Sequence, residues 1–146
     1  MRIALGSDHA GFEMKEHLSN WMTNEGYAVY DLGTHSPDPV DYPDVAAAIG
    51  RAVLDGRADR GVILCGSGAG ACIAANKLAG IRASVAHDTY TAAQMVEHDD
   101  ANIICLGARV IGTNVAESLV TAFLEAAFIP EDRYRQRLDK IRALET

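Results

Sequence analysis

Apolar residues follow two alternating rhythms along the chain. Short unbroken runs at residues 3–5, 28–30, 61–65, 83–86 and 103–106 read as five strands. The third, Gly61-Val62-Ile63-Leu64-Cys65, is apolar throughout and suits a strand buried on both faces. Between these runs the spacing turns helical. Residues 11–25 place Phe12, Leu18, Trp21 and Met22 on one stripe, and Gly26 ends it. A second helix is predicted over 42–54, stopped by Asp55-Gly56, and a third over 71–79, closed by Gly80. A fourth is predicted near 91–97 and a fifth over 115–128. Pro130 breaks the chain before a polar helix over 131–144. This alternation predicts βαβ units, hence an α/β fold with a parallel sheet and helices on both faces. Ligands of such sheets bind beyond the carboxyl ends of the strands. The chemistry is therefore expected in the loops at 7–11, 33–42, 66–70, 87–88 and 107–109.

Length and charge narrow the function. The 146 residues fit one domain, with no repeat, low-complexity stretch or linker. The formal net charge is −7, and no basic stripe appears, which argues against a protein that coats nucleic acid. An acidic excess does not exclude a small anionic ligand, because a few placed arginines dominate locally. No apolar run reaches membrane-spanning length, and the first run is too short for a signal peptide. A cytoplasmic location is the expectation. Three cysteines, Cys65, Cys72 and Cys105, form neither a disulfide framework nor a zinc pattern.

The loop Cys65-Gly66-Ser67-Gly68-Ala69-Gly70 is the first candidate for chemistry. Glycines at alternate positions let backbone N–H groups turn inward, and the following helix start adds positive potential. Such a loop binds an anion or stabilises a developing oxyanion. A thiol entering that field becomes a usable base or nucleophile. Taken alone, Cys65 reads more readily as an inert cysteine under a tight turn, and it is the adjacent Gly-rich loop that turns the reading toward function. A P-loop is excluded because no Lys follows Gly70, and a tyrosine-phosphatase loop because position 71 is Ala rather than Arg. A dinucleotide fingerprint fits better: Gly66-x-Gly68-x-x-Ala71, with Asp88 about the right distance on. It sits on the third strand, however, and leaves Cys65 and the histidines without a role.

Other loops add titratable and basic groups. Asp8-His9 after the first strand could contact phosphate or a ring oxygen, or Asp8 could cap the following helix. His98, followed by Asp99 and Asp100, could be a general acid, or a helix-end histidine complementing the dipole. His87-Asp88 could line the pocket or cap a helix. His17 and His35 read as surface residues. Arg109 stands at the active edge. Arg133 and Arg137 lie one helical turn apart, so that two guanidiniums on one face suit a terminal phosphate.

Together these loops resemble one family. Gly6-Ser7-Asp8-His9-Ala10-Gly11, Asp41-Tyr42-Pro43, the Cys65 loop, Ala75-Asn76-Lys77, Gly80-Ile81-Arg82-Ala83 and Gly107-Ala108-Arg109-Val110 are similar in order and spacing to the B-type ribose-5-phosphate isomerases. That family also includes the subunits of galactose-6-phosphate isomerase. The resemblance implies a five-stranded Rossmann-like three-layer sandwich. It also implies a homodimer or homotetramer with active sites between subunits, and no metal or nucleotide cofactor. On the same basis Cys65 moves a proton between C1 and C2 through a cis-enediol. The Gly66, Ser67, Gly68, Ala69 and Gly70 segment holds the enediolate, and Ala71 stands where some members carry a Glu base. His98 opens the furanose ring, from a neighbouring subunit. Asp8, His9, Arg109, Arg133 and Arg137 contact the ring and phosphate, and Asp41 and Tyr42 line the sugar end. Asp99 stands where many members have Asn, and Tyr134 where they often have His. A carboxylate cannot donate the hydrogen bond that an amide can, and a phenol carries no positive charge. Both differences bear on which sugar phosphate is used, with ribose 5-phosphate expected and allose, galactose or tetrulose phosphates as alternatives. A nucleotide-binding module without catalysis is the reading from another class.

Overall fold

The computed structural model describes residues 1–145. Five strands form one parallel sheet: β1 (Arg2–Ser7), β2 (Ala28–Asp31), β3 (Arg60–Cys65), β4 (Ala83–Val85) and β5 (Ile103–Gly107). Their order is β2-β1-β3-β5-β4. Helices α1 (Phe12–Asn24), α2 (Tyr42–Leu54), α3 (Ala69–Ala75), α4 (Thr89–Asp99) and α5 (Thr113–Glu125) connect or follow the strands, and α6 (Asp132–Arg142) closes the described chain. The expected α/β sandwich is present, with all five strands where the hydrophobic runs placed them.

Alternation along each strand builds two cores. Ile3, Leu5, Val62, Leu64, Ile104 and Leu106 face α1, α4 and α5, where Leu18, Met22, Met95 and Phe123 meet them. Ala4, Ile63, Cys65, Ile103 and Cys105 face α2 and α3, against Ile49, Ala71 and Ala75. Because side chains alternate with period two, Cys65 belongs to the α2–α3 face. The ladder also aligns the strand ends: Ser7 pairs with Leu64, and Cys65 with Gly107. β1 leads to a helix on one face and β3 to a helix on the other. The crevice between them is the topological switch point of the sheet, where ligands of open α/β folds bind.

Several helix ends differ from the hydrophobic pattern. α3 begins at Ala69 and stops at Ala75, not 71–79, because the Gly68 turn feeds directly into it. α4 runs from Thr89 to Asp99, so His98 and Asp99 are helical, not in a loop before β5. α5 ends at Glu125, short of Phe128. There Arg60 donates hydrogen bonds to the carbonyls of Phe123 and Ala126 (2.7 Å for the latter), capping the helix from β3.

One buried ion pair anchors the loop after β2. Lys15 of α1 is fully buried, and its Nζ donates to Asp31 (2.5 Å) and Glu16 (2.7 Å). Asp31 also accepts the Gly33 N–H (2.9 Å). Gly33 O in turn accepts the amide of Ser7 (2.7 Å), and Thr34 N–H donates to Ser7 O (2.7 Å). A charge buried in α1 is thereby compensated, and it fixes where the 33–41 loop leaves the sheet beside Asp8.

Candidate active site

Three strand ends meet around one cleft of about 430 Å³. Asp8, His9 and Ala10 line it from the end of β1, and Cys65, Gly66, Ser67 and Gly70 from the end of β3. Arg109 and Val110 follow β5, and Tyr42 opens α2. The sequence reading gave a site role to all of these except Ala10 and Val110. Val110 is 57% exposed beside Arg109, and nothing in its residue type marks it as a site residue.

Cys65 lies at the floor of the cleft, 4% exposed. Its Sγ accepts the amide N–H of Gly68 at 3.1 Å. Gly68 has φ +82, a left-handed conformation that a side chain would disfavour, and this turns its N–H back to the sulfur. The Ser67 hydroxyl accepts the Ala69 N–H (3.2 Å), which leaves its own proton free to donate. Cys72 is the first α3 residue whose amide bonds back along the chain, to Gly68 O (3.1 Å). The amides ahead of it at the helix start have no intrahelical acceptor, the condition for an anion site. Arg109 lies over Gly66, and the Tyr42 ring rests against Gly70.

On the β1 side, Asp8 is 7% exposed, and its Oδ1 accepts the N–H groups of Ala10 (3.0 Å) and Gly11 (3.2 Å). Asp8 is therefore a cap as well as a cleft residue, with Oδ2 uncommitted. His9 Nδ1 accepts the Val40 N–H (3.2 Å), so the ring proton belongs on Nε2. Asp41 sits exposed at the start of α2 without a capping bond and is not among the residues lining this cleft.

The remaining candidates form a second group. His98 stacks on Tyr134, with centroids 4.2 Å apart and planes 16° from parallel. The Arg133 guanidinium lies 4.6 Å from the same ring, and that of Arg137 5.9 Å. Arg133 also donates to the Tyr134 hydroxyl and to Glu131 (both 2.9 Å). Asp99 lines a different hollow of about 500 Å³ with Asn76, Arg82, Thr91, Gln94 and Leu144. Within one chain, His98, Asp99, Arg133 and Arg137 are thus separate from the Cys65 cleft. His17 and His35 are exposed, as read from the sequence, and His17 bonds to Glu117 (2.6 Å). Among the described residues, no group of His, Cys, Asp and Glu could hold a metal ion, and no helix is long and apolar enough to cross a membrane.

A thiol, a Gly-rich helix start and an arginine sharing one cleft at the strand ends of a parallel α/β sheet make a candidate site of the kind that small α/β enzymes carry. Comparison with known proteins makes this specific. The family described as Ribose/Galactose Isomerase matches residues 3–141. Ribose-5-phosphate isomerase B of Escherichia coli is 40% identical over 144 residues, covering 99% of this chain and 96% of that protein. D-erythrulose-4-phosphate isomerase of Pectobacterium atrosepticum is 42% identical over 132 residues, covering 88% and 85%. The structure of Clostridium thermocellum ribose-5-phosphate isomerase B superposes with a TM-score of 0.97 at 43% identity, covering 99% of this chain and 97% of that one. The chain belongs to the ribose/galactose isomerase family of enzymes, as the sequence resemblance implied.

Proposed function

We propose that the protein interconverts ribose 5-phosphate and ribulose 5-phosphate through a cis-enediol. The observation that carries this reading is Cys65 Sγ, held by the Gly68 N–H at the floor of a cleft lined by Asp8, His9, Ser67 and Arg109. The Cys65 thiolate takes the proton from C2 of the opened aldose, and the electron pair moves onto O1. The resulting enediolate is held by the Ser67 hydroxyl and by the Gly66–Gly70 loop amides that are not already bonded to Cys65 Sγ or Ser67 Oγ. The Cys65 thiol then returns its proton to C1 while a proton passes from O2 to O1, which yields the ketose. Stabilising charge where it develops, with donors already fixed in place, is the largest contribution such a site makes. Asp8 Oδ2 and His9 Nε2–H address sugar hydroxyls, Tyr42 and Asp41 the sugar end, and Arg109 the ring or phosphate.

A closed site needs the second group as well. His98 supplies the ring-opening acid, Asp99 a sugar contact, and Arg133 and Arg137 the phosphate clamp, all from another copy of the chain. What supports this is that the Cys65 cleft is open to solvent in a single chain, while His98, Arg133 and Arg137 gather around Tyr134 and Asp99 lines a hollow of its own. Holding the inert phosphate end orients the reacting carbons.

Replacing Cys65 by Ala should slow C2 proton exchange into deuterated water by about a thousandfold, the scale of a lost general base, while ribose 5-phosphate still raises the melting temperature. An Ala variant that exchanges at the wild-type rate overturns the assignment. A second reading, a tetrose phosphate as substrate, is favoured by the D-erythrulose-4-phosphate isomerase relative. Turnover across tetrose, pentose and hexose phosphates decides between the two.

A further inference from the structure

His87 lies outside the groups assigned above, two residues beyond the end of β4, and its side chain does what a strand would otherwise do. Val85 pairs with Cys105 in the parallel ladder, so Gly107 falls opposite position 87. β4 has already ended there, and no backbone carbonyl continues the ladder. Instead His87 Nε2 accepts the Gly107 N–H at 2.9 Å. Because an amide donates, this nitrogen carries a lone pair and the ring proton sits on Nδ1.

Gly107 is where two site loops lean on each other. A Cβ at position 107 would lie 2.7 Å from Ser67 O and 2.9 Å from Ser67 Cα. A Cβ at Gly68 would come 3.1 Å from the Leu106 carbonyl carbon and 3.3 Å from Gly107 N. On the same stretch Ala108 N–H donates to Cys65 O (2.9 Å), and Arg109 N–H to Gly66 O (3.0 Å). The turn that aims the Gly68 amide at Cys65 Sγ, and the backbone that carries Arg109, therefore rest on a peptide held from the far side by an imidazole.

We propose that His87 is a positioning residue for the reaction: while neutral, it locks Gly107 and through it the Ser67–Gly68 turn and Arg109. This rests on the assignment of the Cys65 loop as the reacting site. An imidazolium has no lone pair to offer, so protonation releases the Gly107 N–H and loosens both loops. The groups that share a hollow of about 410 Å³ with His87 are Asp88 and Thr89 at the start of α4 and Asn114, Val115, Ser118 and Leu119 of α5. Asp88 is the titratable one among them, and its carboxylate is engaged by the Thr91 N–H (2.7 Å) and hydroxyl (2.9 Å).

Two variants of the full chain test this, H87A and H87Q. Gln keeps an acceptor oxygen that does not titrate. Amide exchange of Gly107, read by NMR, is expected to speed up about tenfold or more in H87A and to stay near wild type in H87Q. With ribose 5-phosphate, H87A should lose about ten- to a hundredfold in kcat with a smaller change in KM, the scale of a misplaced catalytic group. H87Q should recover most of that loss and show a shallower acid limb in kcat than wild type. Wild-type Gly107 protection in H87A, or an acid limb in H87Q identical to wild type, overturns the proposal. Should H87A fail to fold, the H87Q pH profile decides alone. A wild-type enzyme inactive on every sugar phosphate would instead sink the functional reading, and the exchange measurement would still decide whether His87 holds Gly107.

Discussion

At the scale of single residues, Cys72, which lies outside the cleft, is a thiol shifted toward the thiolate form. Its pKa is lowered to about 7, mainly by a hydrogen bond from Cys105, while burial opposes the shift. The buried Cys105 is pushed well above the ordinary thiol range by the same partner and by desolvation. Cys72 is half-buried on α3, whereas Cys105 is enclosed in β5. Iodoacetamide should therefore label Cys72 with a pH midpoint near 7 and leave Cys105 essentially untouched, as read by peptide mass spectrometry. Replacing Cys105 by Ala should move that midpoint upward. Comparable labelling of Cys105 would contradict the pairing. Inactivation by alkylation then identifies Cys65 only in a Cys72→Ser background. The Cys65 loop was legible in the sequence because its thiol, glycines and helix start are contiguous. The Cys72–Cys105 pair and the His87–Gly107 bond were not, because each joins residues that meet only once the sheet order is set.

At the scale of elements, strands were legible and several helix ends were not, for a physical reason. The central strands β1, β3 and β5 are buried on both faces, so their apolar runs mark their extent. A helix ends where its last carbonyls find partners, and these can come from elsewhere in the chain. Arg60 ends α5 from β3, and no local pattern near residue 125 announces it. Asp100 ends α4 in a left-handed conformation (φ 49) without being glycine, held by Arg82, whose guanidinium bonds to its carboxylate (2.9 Å) and its carbonyl (2.7 Å). The start of α4 was the more readable end, since Asp88 is an ordinary N-cap. Thr91 bonds, backbone first and hydroxyl second, hold the Asp88 carboxyl below its usual range. A depressed folded pKa means stability that is present above the unfolded value and is lost as pH falls through the folded one. Asp88→Asn should therefore flatten the acid side of the melting-temperature profile while leaving the neutral side close to wild type, because Asn also caps. An unchanged acid slope would remove Asp88 from the account of acid sensitivity.

At the scale of the whole molecule, the residues of the proposed site fall on two surfaces. The Cys65 cleft holds the proposed base, the Gly-rich loop and one arginine; the α4–α6 contact holds His98 and two more arginines around Tyr134. Tyr134 is 5% exposed and stacked on His98, so it fixes the angle at which the imidazole and guanidiniums leave the surface. Residue types at both places were readable from the sequence, and the resemblance placed His98 on a neighbouring subunit; that Arg133 and Arg137 gather with it around Tyr134 was not readable, because it depends on α6 docking against α4 rather than over the strand ends. Exposed apolar side chains at Ile73 (63%), Tyr90 (71%) and Leu144 (81%) are consistent with burial against a second copy. A site shared between copies has a consequence that no single-chain site can imitate. Cys65→Ala and His98→Ala proteins should each be nearly inactive on ring-closed ribose 5-phosphate. Unfolded together and refolded as an equal mixture, half the pairs would be hybrids. Each hybrid would combine an intact cleft from one chain with an intact His98 from the other, restoring about one quarter of wild-type sites. The partner site in the same hybrid would carry both substitutions, so recovery cannot approach the full value. Activity that stays at the level of the separate variants would place all of the machinery within one chain and would require α6 to move onto the Cys65 cleft of its own subunit.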